Sequence, residues 1–74
     1  MKVLHEKFES GWIGMSISLS LAEVDVLIGR LSDLKSGAVG HFHFRTDDFA
    51  ADDGVADIEI SIKGEDEPDN MTIE

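Results

Sequence analysis

Cysteine is absent from this 74-residue chain, which removes three possibilities at once. There is no disulfide framework, no thiolate metal site and no cysteine nucleophile. Long apolar runs are also absent. No window approaches the roughly 18 consecutive apolar residues of a membrane-spanning helix. The N-terminus, MKVLHEKFES, is broken by charge every few positions, unlike a signal peptide. A cytosolic protein is the expectation. Bases are scarce, with six Lys and Arg against sixteen Asp and Glu, a formal net charge of −10. Such a chain repels nucleic acid and anionic lipid and attracts basic surfaces.

The length fits one domain, since domains usually run to about 100–200 residues. A chain this short buries only about 60% of the surface it exposes when unfolded. Its fold must rest on one well-packed pair of layers, on an oligomer, or on both. The charge is unevenly spread. Residues 1–45 hold five acids and five bases, whereas residues 46–74 hold eleven acids and Lys63 alone. The whole net charge therefore sits in the last 29 residues. An acidic surface of this kind serves either solubility or the recognition of a basic partner.

The clearest element is a helix over roughly 20–35. Ser20 followed by Glu23 is a capping-box pattern, in which each side chain satisfies an amide of the first turn. Leu21, Val24, Leu27, Ile28, Leu31 and Leu34 recur at spacings of three and four and make one apolar stripe. Lys35 near the end suits the macrodipole, and Gly37 is placed for a left-handed cap. Gly29, inside the helix, suggests a close backbone contact.

The flanking segments alternate instead. In 12–19, Ile13, Met15, Ile17 and Leu19 share one face, opposite Trp12, Gly14, Ser16 and Ser18. In 39–45, Phe42 and Phe44 oppose His41, His43 and Arg45. In 55–63, Ala56, Ile58, Ile60 and Ile62 oppose Asp57, Glu59, Ser61 and Lys63. Residues 2–8, with Leu4 and Phe8 alternating against polar neighbours, read as a weaker strand. Glu9-Ser10-Gly11 suits a hairpin turn. One-sided alternation marks a mostly antiparallel sheet with one covered face. The expected fold is therefore α+β, in the order β-β-α-β-β. Its single helix packs on one face of a four-stranded, mostly antiparallel sheet. Residues 1–64 form this domain. Residues 65–74 form an acidic tail, either disordered or adding a short edge strand at 71–74.

The uncovered face of such a sheet gathers the residues with chemistry: Trp12, His41, His43 and Arg45, with Asp57 and Glu59 on the next strand. His5 joins them in one register of its strand. Two histidines at i and i+2 lie about 7 Å apart on one side of a strand, and a neighbouring carboxylate could complete a metal site. Without a third ligand fixed by the sequence, the expectation is that they bind no metal. They present a polar face to a partner or to a second copy. The Asp-rich stretch 47–54 fits a calcium loop only in part. Counted from Asp48, Asp52 is fifth and Glu59 twelfth, but Ala50 is third and the glycine seventh. The better reading is a hydrated hairpin loop anchored by Phe49, or a recognition surface. No phosphate loop, nucleophile elbow or convincing nucleophile is present, and neither an enzyme nor a cofactor is expected.

The arrangement SLSLAEVDVLIGRLSDLKSGAVGHFHFRTDDF, followed by VADIEISIKGE, resembles the immunity protein 32 family of bacterial polymorphic toxin systems. The likeness covers residues 16–64, with His41-Phe42-His43-Phe44 its most distinctive piece. It implies a short cytosolic protein encoded beside a toxin, which binds and blocks that toxin, often a nuclease-like domain. The Asp-rich loop and the acidic tail depart from the family pattern, so the resemblance assigns no binding residues. Charge and resemblance together point to Asp47, Asp48, Asp52, Asp53, Asp57 and Glu59, with His41, His43 and Trp12, as the partner-binding set. Two other readings stay open: a small-ligand or metal-binding module on the His41/His43 face, and a homodimer that buries that face.

Overall fold

The computed structural model describes residues 1–48 and 53–74. In chain order the elements are β1 (Lys2–Lys7), β2 (Ile13–Ser18), α1 (Leu21–Ser36), β3 (His41–Arg45) and β4 (Asp57–Ser61). The turn between β1 and β2 falls at Glu9-Ser10-Gly11. The Phe8 amide donates to the Trp12 carbonyl at 2.8 Å and the Gly11 amide to the Phe8 carbonyl at 3.0 Å. Gly11 sits at φ 91°, the left-handed position that ends a three-residue hairpin loop.

The helix forms as its sequence predicts. The Ser20 hydroxyl accepts from the Glu23 amide at 3.1 Å, and the Glu23 carboxylate accepts from the Ser20 amide at 3.0 Å. Both halves of the capping box are therefore present. At the other end Gly37 is left-handed, and its amide donates to the Leu34 carbonyl while the Ala38 amide donates to that of Asp33. These are the two bonds of a Schellman ending, which satisfies carbonyls the helix would otherwise leave open.

The sheet departs from expectation. β1 pairs with β2 and β3 with β4, each antiparallel, but the two pairs remain separate two-stranded sheets rather than one of four strands. Where β1 meets the second ribbon it does so through side chains. Met1 and Val3 line a hollow of about 150 Å³ with Phe44, Val55 and Ile58, and no ladder joins the two edges.

The register also corrects the reading of the first strand. Val3 stands opposite Ile17 and His5 opposite Met15, so Val3 and His5 share the apolar face of β2. Leu4 stands opposite Ser16, on the other side. The Phe8 ring lies over Gly14, where an added Cβ would fall 2.8 Å from its Cζ.

In the second ribbon, Phe42 pairs with Ile60 and Phe44 with Ile58, and all four are half-buried. The two phenyl rings meet edge to face at 5.8 Å. Leu27 and Val26 of α1 share a crevice of about 170 Å³ with them, so the helix lies against this ribbon. Among the described residues only Leu34, 5% exposed, is buried. The expected stripe of six is thus only partly covered, because Leu21, Val24, Ile28 and Leu31 remain exposed. The physical reason is width. Two strands about 4.8 Å apart cannot span a helix about 10 Å across together with the full arc of its stripe.

No regular structure follows β4, so the tail adds no edge strand, although Lys63 reaches Asp69 at 2.5 Å. Among the described residues no helix is long and apolar enough to cross a membrane.

Candidate functional site

The ladder of β3 and β4 builds the polar face directly from its register. His41 stands opposite Ser61, His43 opposite Glu59, and Arg45 opposite Asp57. Because opposed residues in an antiparallel pair point the same way, these side chains share one surface, behind the Phe and Ile face. The Thr46 amide donates to the Ala56 carbonyl at 3.0 Å and holds the two strands together one step beyond the ladder.

Asp57 is the centre of the polar contacts. One of its oxygens accepts from His43 Nδ1 at 3.0 Å and from Arg45 Nε at 3.2 Å. A carboxylate only accepts, so Nδ1 of His43 carries the hydrogen. Nε2 then points toward Glu59, 3.6 Å from its Oε1. The His41 and His43 rings meet edge to face at 5.1 Å. His41, His43 and Glu59 can each place one donor atom within 4.8 Å of the others. This is a set of two imidazoles and one carboxylate, with Asp57 orienting one imidazole from behind.

The loop acids follow from the same ladder. Asp47 and Asp48 leave the end of β3, and Asp53 approaches the start of β4. Thr46 shapes the exit, since its hydroxyl accepts from the Asp48 amide at 3.2 Å. Asp47, Asp48 and Asp53 are therefore carried beyond Arg45 and Asp57 at one end of the ribbon. Asp52 and the Phe49 anchor lie outside the described residues. Glu59 stands inside a strand, which does not suit the helix that ends a calcium loop of the EF-hand kind.

Two residues expected on this face belong elsewhere. Trp12 lies in the β1–β2 connection, exposed, on the other sheet. His5 sits half-buried beside Met15 in β1. Both expectations depended on a single continuous sheet and fail with it.

One polar contact had no sequence signal beyond its capping role. Glu23 meets the amino terminus at Met1 at 2.6 Å. That ammonium first, then the amide and hydroxyl of Ser20, lower the Glu23 carboxyl from 4.5 to about 2.

Compared with family models, with curated proteins and with solved structures, the chain matches none.

Proposed function

We propose that this chain is an acidic recognition protein that covers the basic surface of a partner, as an immunity protein neutralises a nuclease-like toxin domain. The observation that carries this reading is the placement of charge. The net −10 falls wholly within residues 46–74; the β3–β4 register sets Asp57 and Glu59 on one face of the ribbon, and Asp47, Asp48 and Asp53 lie in the connection at one end of it. Like charges so grouped repel one another and weaken a small fold, and complementarity to a basic partner gives them a use. His41 and His43 extend the same polar surface. The resemblance over residues 16–64 supports the same class of partner.

Catalysis has no part in this reading. The two crevices beside the second ribbon, about 150 and 170 Å³, fall below the roughly 300 Å³ of an ordinary small-molecule site. A larger groove of about 410 Å³ runs beside β1 and β2 and touches His5 and Ser16. Their register sets those two on opposite faces, so they form no nucleophile and base pair.

The test is stopped-flow binding to the toxin domain that this reading expects to be encoded beside the chain. Raising salt from about 50 to 500 mM should slow association strongly and change dissociation less. The variant Asp47→Asn, Asp48→Asn, Asp52→Asn, Asp53→Asn should fold, associate more slowly and protect co-expressing cells less well. Equal rates and equal protection would reduce the acids to a solubility device.

A second reading is favoured by the His41, His43 and Glu59 cluster. The sequence left the third ligand unfixed, whereas the pairing of His43 with Glu59 supplies one. On this reading the face takes a borderline divalent ion such as zinc, held by two imidazoles and a carboxylate. Calorimetric zinc titration separates the readings. One site per chain, lost in both His41→Ala and Glu59→Gln, would establish it, and absence of saturable heat would remove it.

A further inference from the structure

We propose that a second copy of this chain covers the exposed apolar faces of α1 and β2, forming a two-fold dimer in which the α1 helices cross antiparallel. The first argument is area. A folded monomer of 8.1 kDa exposes about 4,500 Å², whereas this chain exposes 6778 Å². Its radius of gyration is 14.4 Å, against about 11 Å for a compact chain of this length. The exposed residues 62–74 account for part of the surplus. The remainder includes apolar side chains on the two best-formed elements of the fold. Obligate dimers bury on the order of 1,000 Å² or more on each partner, which is within this surplus.

The second argument is pattern. Leu21, Val24, Ile28 and Leu31 are 87%, 37%, 57% and 45% exposed. Their spacing of three, four and three is that of a seam between two helices. It is also symmetric, about Val26 in the N-terminal part of α1. An antiparallel crossing sets Leu21 against Leu31 and Val24 against Ile28, so the surface complements itself, as a two-fold contact requires.

The third argument is charge. Both faces lie within residues 1–45, whose five acids and five bases cancel. Two copies can therefore meet there while the acidic segments stay outside. Exposed Ile13, Met15 and Ile17 lie on a two-stranded ribbon that is marginal without further cover. A second copy is always at hand. Where a homodimer on the sequence pattern alone would bury the His41/His43 face, as one alternative has it, the proposed dimer leaves that face open.

Sedimentation equilibrium of the whole chain, joined to melting at about 1 and 100 μM, tests the proposal. The expected result is twice the 8.1 kDa chain mass and a melting temperature that rises with concentration. A monomer with concentration-independent melting, or a mass that grows without limit, would overturn it. Because the natural chain has no cysteine, Val24→Cys and Ile28→Cys add a check on geometry. Mixed and oxidised, the two variants should cross-link far more than either alone. No cross-linking in the mixture, or equal cross-linking in all three samples, would overturn the antiparallel seam.

Discussion

The β1–β2 and β3–β4 ribbons are both two-stranded and antiparallel, yet the second covers its apolar face more fully, while the first meets the rest of the chain on that face through Val3. Phe42, Phe44, Ile58 and Ile60 are half-buried beside the helix, while Ile13, Met15 and Ile17 stand exposed. The outer faces differ as well. Behind β3–β4 lies an organised polar surface in which Asp57 ties His43 to Arg45. Behind β1–β2 lie Lys2, Leu4 and Glu6 opposite Ser18, Ser16 and Gly14, with the ring of Phe8 over Gly14. One ribbon is packed within its own chain and free to display charge. The other supplies apolar surface that a single chain does not cover.

The largest effect should come from the covered side. Leu34→Ala removes the one buried side chain among the described residues and should cost roughly 2–5 kcal/mol, read by urea melts. Met15→Ala, on the uncovered ribbon, should act through self-association, so its effect on melting should fade on dilution. A Met15→Ala penalty that persists undiminished on dilution would erase the contrast between the ribbons.

Next in size is the start of the helix. Ser20→Ala removes a capping hydroxyl and should cost about 1 kcal/mol. Its partner Glu23 adds a pH dependence with a definite sign. A carboxyl lowered from 4.5 to about 2 in the folded chain contributes stability above pH 4.5 and loses it as pH falls toward 2. The stability difference between wild type and Glu23→Gln should therefore shrink across that window. A difference that stays constant from pH 5 to pH 2 would remove the Met1–Glu23 contact from the account.

The smallest effect tests the helix face turned away from both ribbons. A Cβ built on Gly29 meets nothing within 4 Å, so the close contact expected there is absent within the chain. Gly29→Ala should raise stability by up to about 1 kcal/mol, the difference in helix propensity. Destabilisation instead would place a neighbouring backbone against Gly29 and move the dimer seam.

The helix was legible because its signals are local. Ser20, Glu23 and Gly37 act within one turn of the positions they cap, and each does what its spacing predicts. The strands were legible for the same reason, within two residues at each end. Alternation says which residues share a face, but not which edge lies beside which. The joining of β1–β2 to β3–β4 was therefore a guess about topology, and Trp12 and His5 were misplaced with it.

The polar surface was legible as far as one strand reaches. His41, His43 and Arg45 share a side by their spacing alone. That Asp57 holds both His43 and Arg45 depends on the hairpin register. The long connection between β3 and β4 leaves that register open in the sequence, unlike a two-residue turn. Likewise, apolar periodicity marks Leu21 and Leu34 as one stripe, though only Leu34 finds cover inside the chain.

The proposals together divide the chain into a neutral apolar half that self-associates and an acidic half that meets a partner. That division is tested most directly by sedimentation equilibrium of wild type and of the four-Asn loop variant, each at about 50 and 500 mM salt. A dimer of unchanged affinity is predicted in all four samples, because apolar contacts between neutral halves do not depend on the loop charges. A dimer that dissociates on adding salt, or that tightens sharply once the loop is neutralised, would contradict the claim by placing the acidic segment inside the self-association surface.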